Sequence, residues 1–205
     1  TVNDEKNQLA ENKRLLEERI KLAVESADMG TWEMNTDTGK ILWDERCQEL
    51  FGVKQGLVNY EEFLNAINPD ERIKTDEIVR KVTKGLFDGK YNTEYRTRFE
   101  KETDRRWLKA SGRVYFDTEG KAIRFAGTVM DVTQQKLNEQ LLRESEERFR
   151  MASDAAAAMI WLSGTDKMCK YFNKSWLQFT GRSFDQEKGK GWIEDIHPDD
   201  LNSWI

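Results

Sequence analysis

Between residues 3 and 28 there is no Gly or Pro, and apolar side chains recur at spacings of three, four and seven: Leu9, Leu16, Ile20, Ala23 and Ala27. That period predicts an amphipathic helix with one apolar stripe on an otherwise charged surface. Residues 134–150 repeat the design with Leu137, Leu141, Leu142 and Phe149. Between these helices the period changes. Residues 31–35 and 40–43 read as short strands joined by a turn at Thr36-Asp37-Thr38-Gly39. Asp44 has the chemistry to cap a helix over 45–51 that stops at Gly52, and Asn59 to cap another over 60–65. Pro69-Asp70-Glu71 opens a longer helix ending near Gly85. Then a period of two takes over: Tyr91, Thr93, Tyr95, Thr97 and Phe99 alternate with Asn92, Glu94, Arg96, Arg98 and Glu100. Two further strands, 106–116 and 121–132, flank a hairpin loop at Asp117-Thr118-Glu119-Gly120. Two strands, helices, then three strands predict an α+β domain: a five-stranded antiparallel sheet with helices on one face, flanked by long amphipathic connector helices.

The chain also repeats itself. At an offset of 129 positions, Glu17-Glu18-Arg19 meets Glu146-Glu147-Arg148, Trp32 meets Trp161, Gly52 meets Gly181, and Pro69-Asp70 meets Pro198-Asp199. A long-period repeat of mixed composition indicates two copies of one domain. The expected organisation is an N-terminal helix over 1–19, a complete unit over 20–133, a connector helix over 134–150 and the first half of a second unit over 151–205. The second copy stops at Ile205, equivalent to Asp76, with no counterpart of residues 77–133. Its apolar faces are therefore expected to be bare, leaving it poorly ordered, domain-swapped or packed on another subunit. The chain begins at Thr1 and reads as a fragment. Val2-Asn3-Asp4-Glu5-Lys6 parallels Val132-Thr133-Gln134-Gln135-Lys136, which predicts a further unit upstream.

Charge and composition narrow the chemistry. The 33 basic and 38 acidic residues interleave to a net charge of -5, so the basic stripe that nucleic acid requires is absent. The longest apolar run, residues 155–162, falls far short of the roughly 18–20 needed to span a bilayer. No signal peptide is visible, and Cys47 and Cys169 sit at non-equivalent positions of the repeat, which points to a reducing, cytoplasmic setting. The single histidine, His197, stands where the first copy has Asn68 and precedes a proline, so it reads as a helix-entry loop residue. Gly189-Lys190-Gly191 lacks the spacing and ending of a phosphate loop, and no His/Cys grouping has metal-ligand spacing. No catalytic set emerges, and the expectation is a chain without enzymatic activity of its own.

The residues resemble those of a known family. Gly30-Thr31-Trp32-Glu33, Trp43-Asp44, Leu50-Phe51-Gly52, Asn68-Pro69-Asp70-Glu71-Arg72, Glu94-Tyr95-Arg96, Arg106-Trp107-Leu108, Gly127 and Asp131-Val132-Thr133 are similar, in order and spacing, to a PAS domain with its C-terminal PAC portion. Trp161, Tyr171-Phe172-Asn173, Phe179-Thr180-Gly181 and Ile196-His197-Pro198-Asp199-Asp200 echo it in the second copy. The resemblance implies a sensory and interaction module of a bacterial signalling protein, such as a sensor histidine kinase or a cyclic-dinucleotide enzyme. It implies a signal-relay junction at Asp131, Val132 and Thr133. It also implies an apolar cavity lined by Trp32, Met34, Trp43, Phe51, Phe63, Leu108, Phe125 and Val129, which the residues alone leave open as either a ligand site or plain filled core. Ala110 and Gly112 leave room on the same face as Leu108. Flavin is not expected, because Cys47 lies in Asp44-Glu45-Arg46-Cys47-Gln48-Glu49 rather than in the family's reactive-cysteine motif. Haem is not expected either, because the complete unit has no histidine. Expected partners are a second copy, through the connector helices and the outer sheet face carrying Trp107 and Tyr115, and a small-molecule ligand. The alternative is a stimulus-blind dimerisation or spacer scaffold.

Overall fold

The computed structural model describes residues 2–98, 105–197 and 199. The chain divides into two compact units, Thr1–Leu137 and Asn138–Ile205.

The first unit opens on helix α1, Val2–Ser26. Its stripe residues Leu9, Leu16 and Ile20 are all more than half exposed, so α1 presents apolar surface that its own unit does not cover. Strand β1, Met29–Asn35, pairs with β2, Lys40–Trp43, through the turn that the Thr-Asp-Thr-Gly run predicts; Gly39 there takes φ 67°. Asp44 caps α2, Glu45–Phe51, by accepting from Cys47 N at 2.8 Å, and its other oxygen binds both the amide and the hydroxyl of Thr31. One carboxylate thus fixes a helix start and ties it to β1. Gly52 ends α2 in the left-handed region.

A capping box formed by Asn59 and Glu62 starts α3, Tyr60–Asn65, and Asn68 caps α4, Pro69–Thr83. Three strands follow: β4, Lys90–Arg96, β5, Trp107–Phe116, and β6, Ala122–Asp131. Phe99 and Glu100, expected to continue β4, lie outside the described residues. The sheet order places β1 beside β6, so the N-terminal hairpin joins the three C-terminal strands in one antiparallel array.

The α+β class stands, with one addition. A sixth, three-residue edge strand β3, Leu57–Asn59, pairs with β2. Only Val58 of the three is buried, so this segment carries too little alternation to announce itself.

Helix α5, Thr133–Ala155, starts in the first unit and continues into the second. The second unit holds β7, Trp161–Ser163, β8, Cys169–Phe172, α6, Lys174–Thr180, and α7, Phe184–Glu187. The register of the sequence repeat holds through α6, and beyond it the copies part, since α7 falls on residues 55–58, where the first unit has loop and β3. Helix α6 falls on α2, β8 on β2, and Gly181 on Gly52, both glycines with positive φ. Asn173 takes the place of Asp44. Its oxygen accepts from Trp176 N and Ile160 N, while its amide donates to Ser153 O and Ala158 O. Trp161, Leu162 and Phe179 are 42%, 49% and 77% exposed, so β7 and α6 carry the bare apolar surface expected of them.

Candidate functional site

Two features of the first unit bear on function: the space between sheet and helices, and the exit from β6 into α5.

The sheet's inner face is built around one indole. Trp32 of β1 faces Gly127 of β6, which in turn faces Gly112 of β5. A Cβ on either glycine would come within 2.7–2.9 Å of the Trp32 ring, so the two glycines are the recess that the ring occupies. The room that Ala110 and Gly112 leave is therefore filled, at Gly112, from within the chain. Trp32 in turn meets Phe125 and Tyr91 edge-on, at 4.7 and 6.0 Å between centroids. On the helical side Phe51 stacks on Trp43 at 4.5 Å and meets Phe63 and Tyr95 at about 6 Å.

What remains open is a cavity of about 30 Å³. Trp32, Met34, Trp43, Phe51, Phe63 and Phe125 line it, as the resemblance implies. Leu108 and Val129 are fully buried but belong to the packed layer of β5 and β6 and not to the cavity wall. Ile41, Tyr60, Val79, Tyr91 and Tyr95 complete the lining. The alternation along 91–97 had placed the two β4 tyrosines on one face of their strand without saying which face points inward. A cavity of this volume holds about one water, and a buried water is held by two to four polar partners. The wall is almost wholly apolar. Its polar atoms include the Tyr60 hydroxyl, which donates to Asp76 at 3.0 Å, and the buried Tyr91 hydroxyl, which has no partner among the described residues.

Burial governs the ionisation of this region. It pushes the phenols of Tyr60, Tyr91 and Tyr95 well above the usual tyrosine range, and the Asp76 carboxylate adds to the effect at Tyr60. Burial, then the charge of Asp44, likewise pushes the Cys47 thiol up. The Cys47 thiol donates to Thr31 O, so it is a packed, weakly reactive group. A folded pKa raised above the unfolded value contributes stability that is complete below the unfolded value and fades as pH rises past it. We therefore expect stability to fall above about pH 10, the ordinary tyrosine range. In an alkaline titration followed by tyrosinate absorbance, three of the five tyrosines should ionise together with loss of the fold. Five independent ionisations below the unfolding transition would contradict the burial described here.

The exit is tied to the sheet by side chains that sequence reasoning named in part. Val132 N donates to Trp107 O at 2.8 Å, and Trp107 N donates back to Thr133 Oγ1 at 2.9 Å. Asp131 Oδ1 accepts from Thr133 N at 2.8 Å, while its Oδ2 lies 3.9 Å from Arg106 Nε. Arg106 also donates to Glu49 O, so the junction reaches α2. One turn into α5, Lys136 pairs with Glu94 of β4 at 2.6 Å, and Lys136 and Arg96 both lie against the Trp107 ring. Arg96 is held through its amide and guanidinium by Glu71 of α4. The first turn of α5 is thereby wired to β4, β5 and α4. Lys136, Glu94 and Glu71 lie far apart in sequence, and nothing in their spacing marks them as partners.

Among the described residues no group of three or more His, Cys, Asp or Glu side chains is placed to hold a metal ion. No described helix is long and apolar enough to cross a membrane.

The antiparallel sheet with its paired hairpin, helical cover and C-terminal helix is matched in known proteins. A family model described as a PAS fold matches residues 40–129, and one described as a PAS domain matches residues 147–205. The chain belongs to the PAS family. Its two PAS segments coincide with the two copies of the repeat. "Uncharacterized protein y4lL" of Sinorhizobium fredii is 33% identical over 67% of this chain, and the match spans 16% of that protein. Sensor protein FixL of Bradyrhizobium diazoefficiens is 24% identical over 65% of this chain and 26% of its own length. The chain thus spans about a quarter or less of these curated relatives. Among solved structures, a sensory box histidine kinase/response regulator from Burkholderia thailandensis superposes with a TM-score of 0.54 at 28% identity, covering 65% of this chain and 98% of that one. This PAS chain accordingly resembles the sensor segments of signalling proteins.

Proposed function

We propose that the first PAS unit senses a ligand or partner and relays the change through α5, within a cytoplasmic signalling protein of the sensor histidine kinase type. The observation that carries this reading is the reciprocal pair of hydrogen bonds between Trp107 and Val132-Thr133, which makes the start of α5 an extension of the sheet. A change in the sheet's twist then alters the direction or stability of the helix. A stimulus achieves this only if it favours one arrangement over the other. The unit works without haem, flavin or catalytic groups of its own, and it pairs with a second copy through the exposed stripes of α1 and α5.

The tightness of the cavity favours a second reading, a stimulus-blind spacer. With about 30 Å³ free, a ligand larger than a water molecule enters only by displacing wall side chains. Two measurements separate the readings. For relay, Thr133→Ala in the full-length protein should change the phosphoryl-transfer output. The same variant of this chain should raise amide exchange in the first turns of α5 by about fivefold, the equivalent of one lost hydrogen bond, and leave β1 and β2 unchanged. An altered exchange rate with unaltered output and stimulus response would leave the spacer reading standing.

A further inference from the structure

The second unit carries a groove of about 580 Å³ between the end of α5 and α6. Its floor is apolar: Phe172 and Phe184 meet edge to face at 6.5 Å, with Leu177 beside them. Three cations, Arg150, Lys170 and Lys174, stand against one carboxylate, Asp154. That carboxylate already accepts from Lys174 N at 2.8 Å. Lys170 shares its charge with Asp166 at 3.8 Å, outside the groove lining.

The repeat supplies a comparison within the molecule. The first unit has a groove at the same place, of about 750 Å³, lined by Lys21, Glu25, Glu45 and Glu49 at the positions of Arg150, Asp154, Lys174 and Gln178. That shared rim stays open although the first unit's sheet is complete, so it belongs to the lead-in helix and the short helix; the apolar floor of the second groove, Phe172, Leu177 and Phe184, falls on Trp43, Gln48 and Gln55, which do not line the first. Its charge is opposite. Six carboxylates, from Glu17, Glu25, Asp28, Asp44, Glu45 and Glu49, outnumber Lys21 and Arg46. One rim, used twice, is acidic in the first copy and basic in the second, on a chain whose net charge is -5.

We infer that the groove of the second unit binds a small aromatic carboxylate, with the ring on Phe172 and Phe184 and the carboxylate between Lys174 and Arg150. The volume suits such a ligand, since small-molecule sites run from about 300 to 1,000 Å³. Apolar walls lower the local dielectric and strengthen the pull of the cationic rim, while the floor rewards a ring over a bare inorganic anion. The first unit's cleft repels the same ligand.

Isothermal titration of this chain with benzoate, its neutral isostere benzamide, inorganic phosphate and a polyglutamate peptide tests the assignment. Benzoate should bind at least tenfold more tightly than benzamide or phosphate. Lys174→Glu, which installs the first unit's residue at an exposed helix start, should weaken benzoate at least fivefold with an unchanged unfolding midpoint. Equal affinity for benzamide, equal affinity for phosphate, or indifference to Lys174→Glu would each overturn it. So would tighter binding of polyglutamate, which would assign the groove to an acidic polypeptide.

Discussion

Phe51→Ala should lower the unfolding free energy of the first PAS unit by about 3–5 kcal/mol, the range for truncating a buried aromatic side chain. Phe51 is 4% exposed and holds the C-terminal turn of α2 against β2, β4 and α3. Its ring lies 15° from parallel with Trp43, at 4.5 Å, and within about 6 Å of Phe63 and Tyr95. Its removal sacrifices three ring contacts at once and enlarges a cavity already present beside it. Relaxation is restricted, because Trp43 is anchored in β2 and Tyr95 in β4. A loss of this size is a large share of the roughly 5–15 kcal/mol that stabilises an ordinary domain. Urea unfolding followed by tryptophan fluorescence reads it, and Phe51→Leu should cost under half as much. A loss below about 1 kcal/mol for the alanine variant would mean that the helical cover does not pack as described.

The fold was legible where local chemistry and period agreed. Asp44 and Asn59 stand where side-chain caps are needed, Gly52 where a left-handed residue is, and the period of two in 91–97 leaves no helical alternative. The repeat carried the same assignments into the second unit, where β8 and α6 begin at the predicted offset. Legibility ended where the determining fact was spatial. Whether Tyr91 and Tyr95 face helices or solvent depends on which side of the sheet α3 and α4 cover, and a strand's own pattern does not encode it. Glu187 makes the same point more sharply. It is fully buried beside Arg182, at 3.5 Å, where the first copy has Val58 and Val53. A polarity rule assigns such a glutamate to the surface, and its arginine neighbour is visible as a partner only in three dimensions. At the candidate site, residues 131–133 were named because they form one contiguous motif resembling the family's. Lys136, Glu94, Arg96 and Glu71, which complete the network, are scattered over 66 positions of the chain and were not.

The recess under Trp32 sets up a sharper experiment, because two general rules predict opposite signs for it. Gly127→Ala should destabilise the first unit by about 3 kcal/mol, at the upper end of the cost of overpacking. Propensity alone argues the reverse, since a strand glycine is about 0.5–1 kcal/mol worse than alanine. Gly127 does not have the positive φ that would make an alanine strained, so conformation does not decide the matter. Space does. The new Cβ would fall on the Ser111 carbonyl oxygen, 2.7 Å from Gly112 Cα and 2.7 Å from the Trp32 ring. Two of those three neighbours are backbone atoms of β5, held by the β5–β6 ladder, and cannot swing aside as a side chain can. Gly120, in the β5–β6 turn, supplies the contrast. It has open space around it but φ 81°, so Gly120→Ala should cost only the roughly 1–2 kcal/mol of a left-handed alanine. The two variants together distinguish a sheet closed tightly over an indole from a loosely packed one. If Gly127→Ala proved neutral or stabilising, β1, β5 and β6 could not lie as close as the filling of this recess requires. The space between sheet and helices would then be wide enough to admit a ligand without displacing the wall.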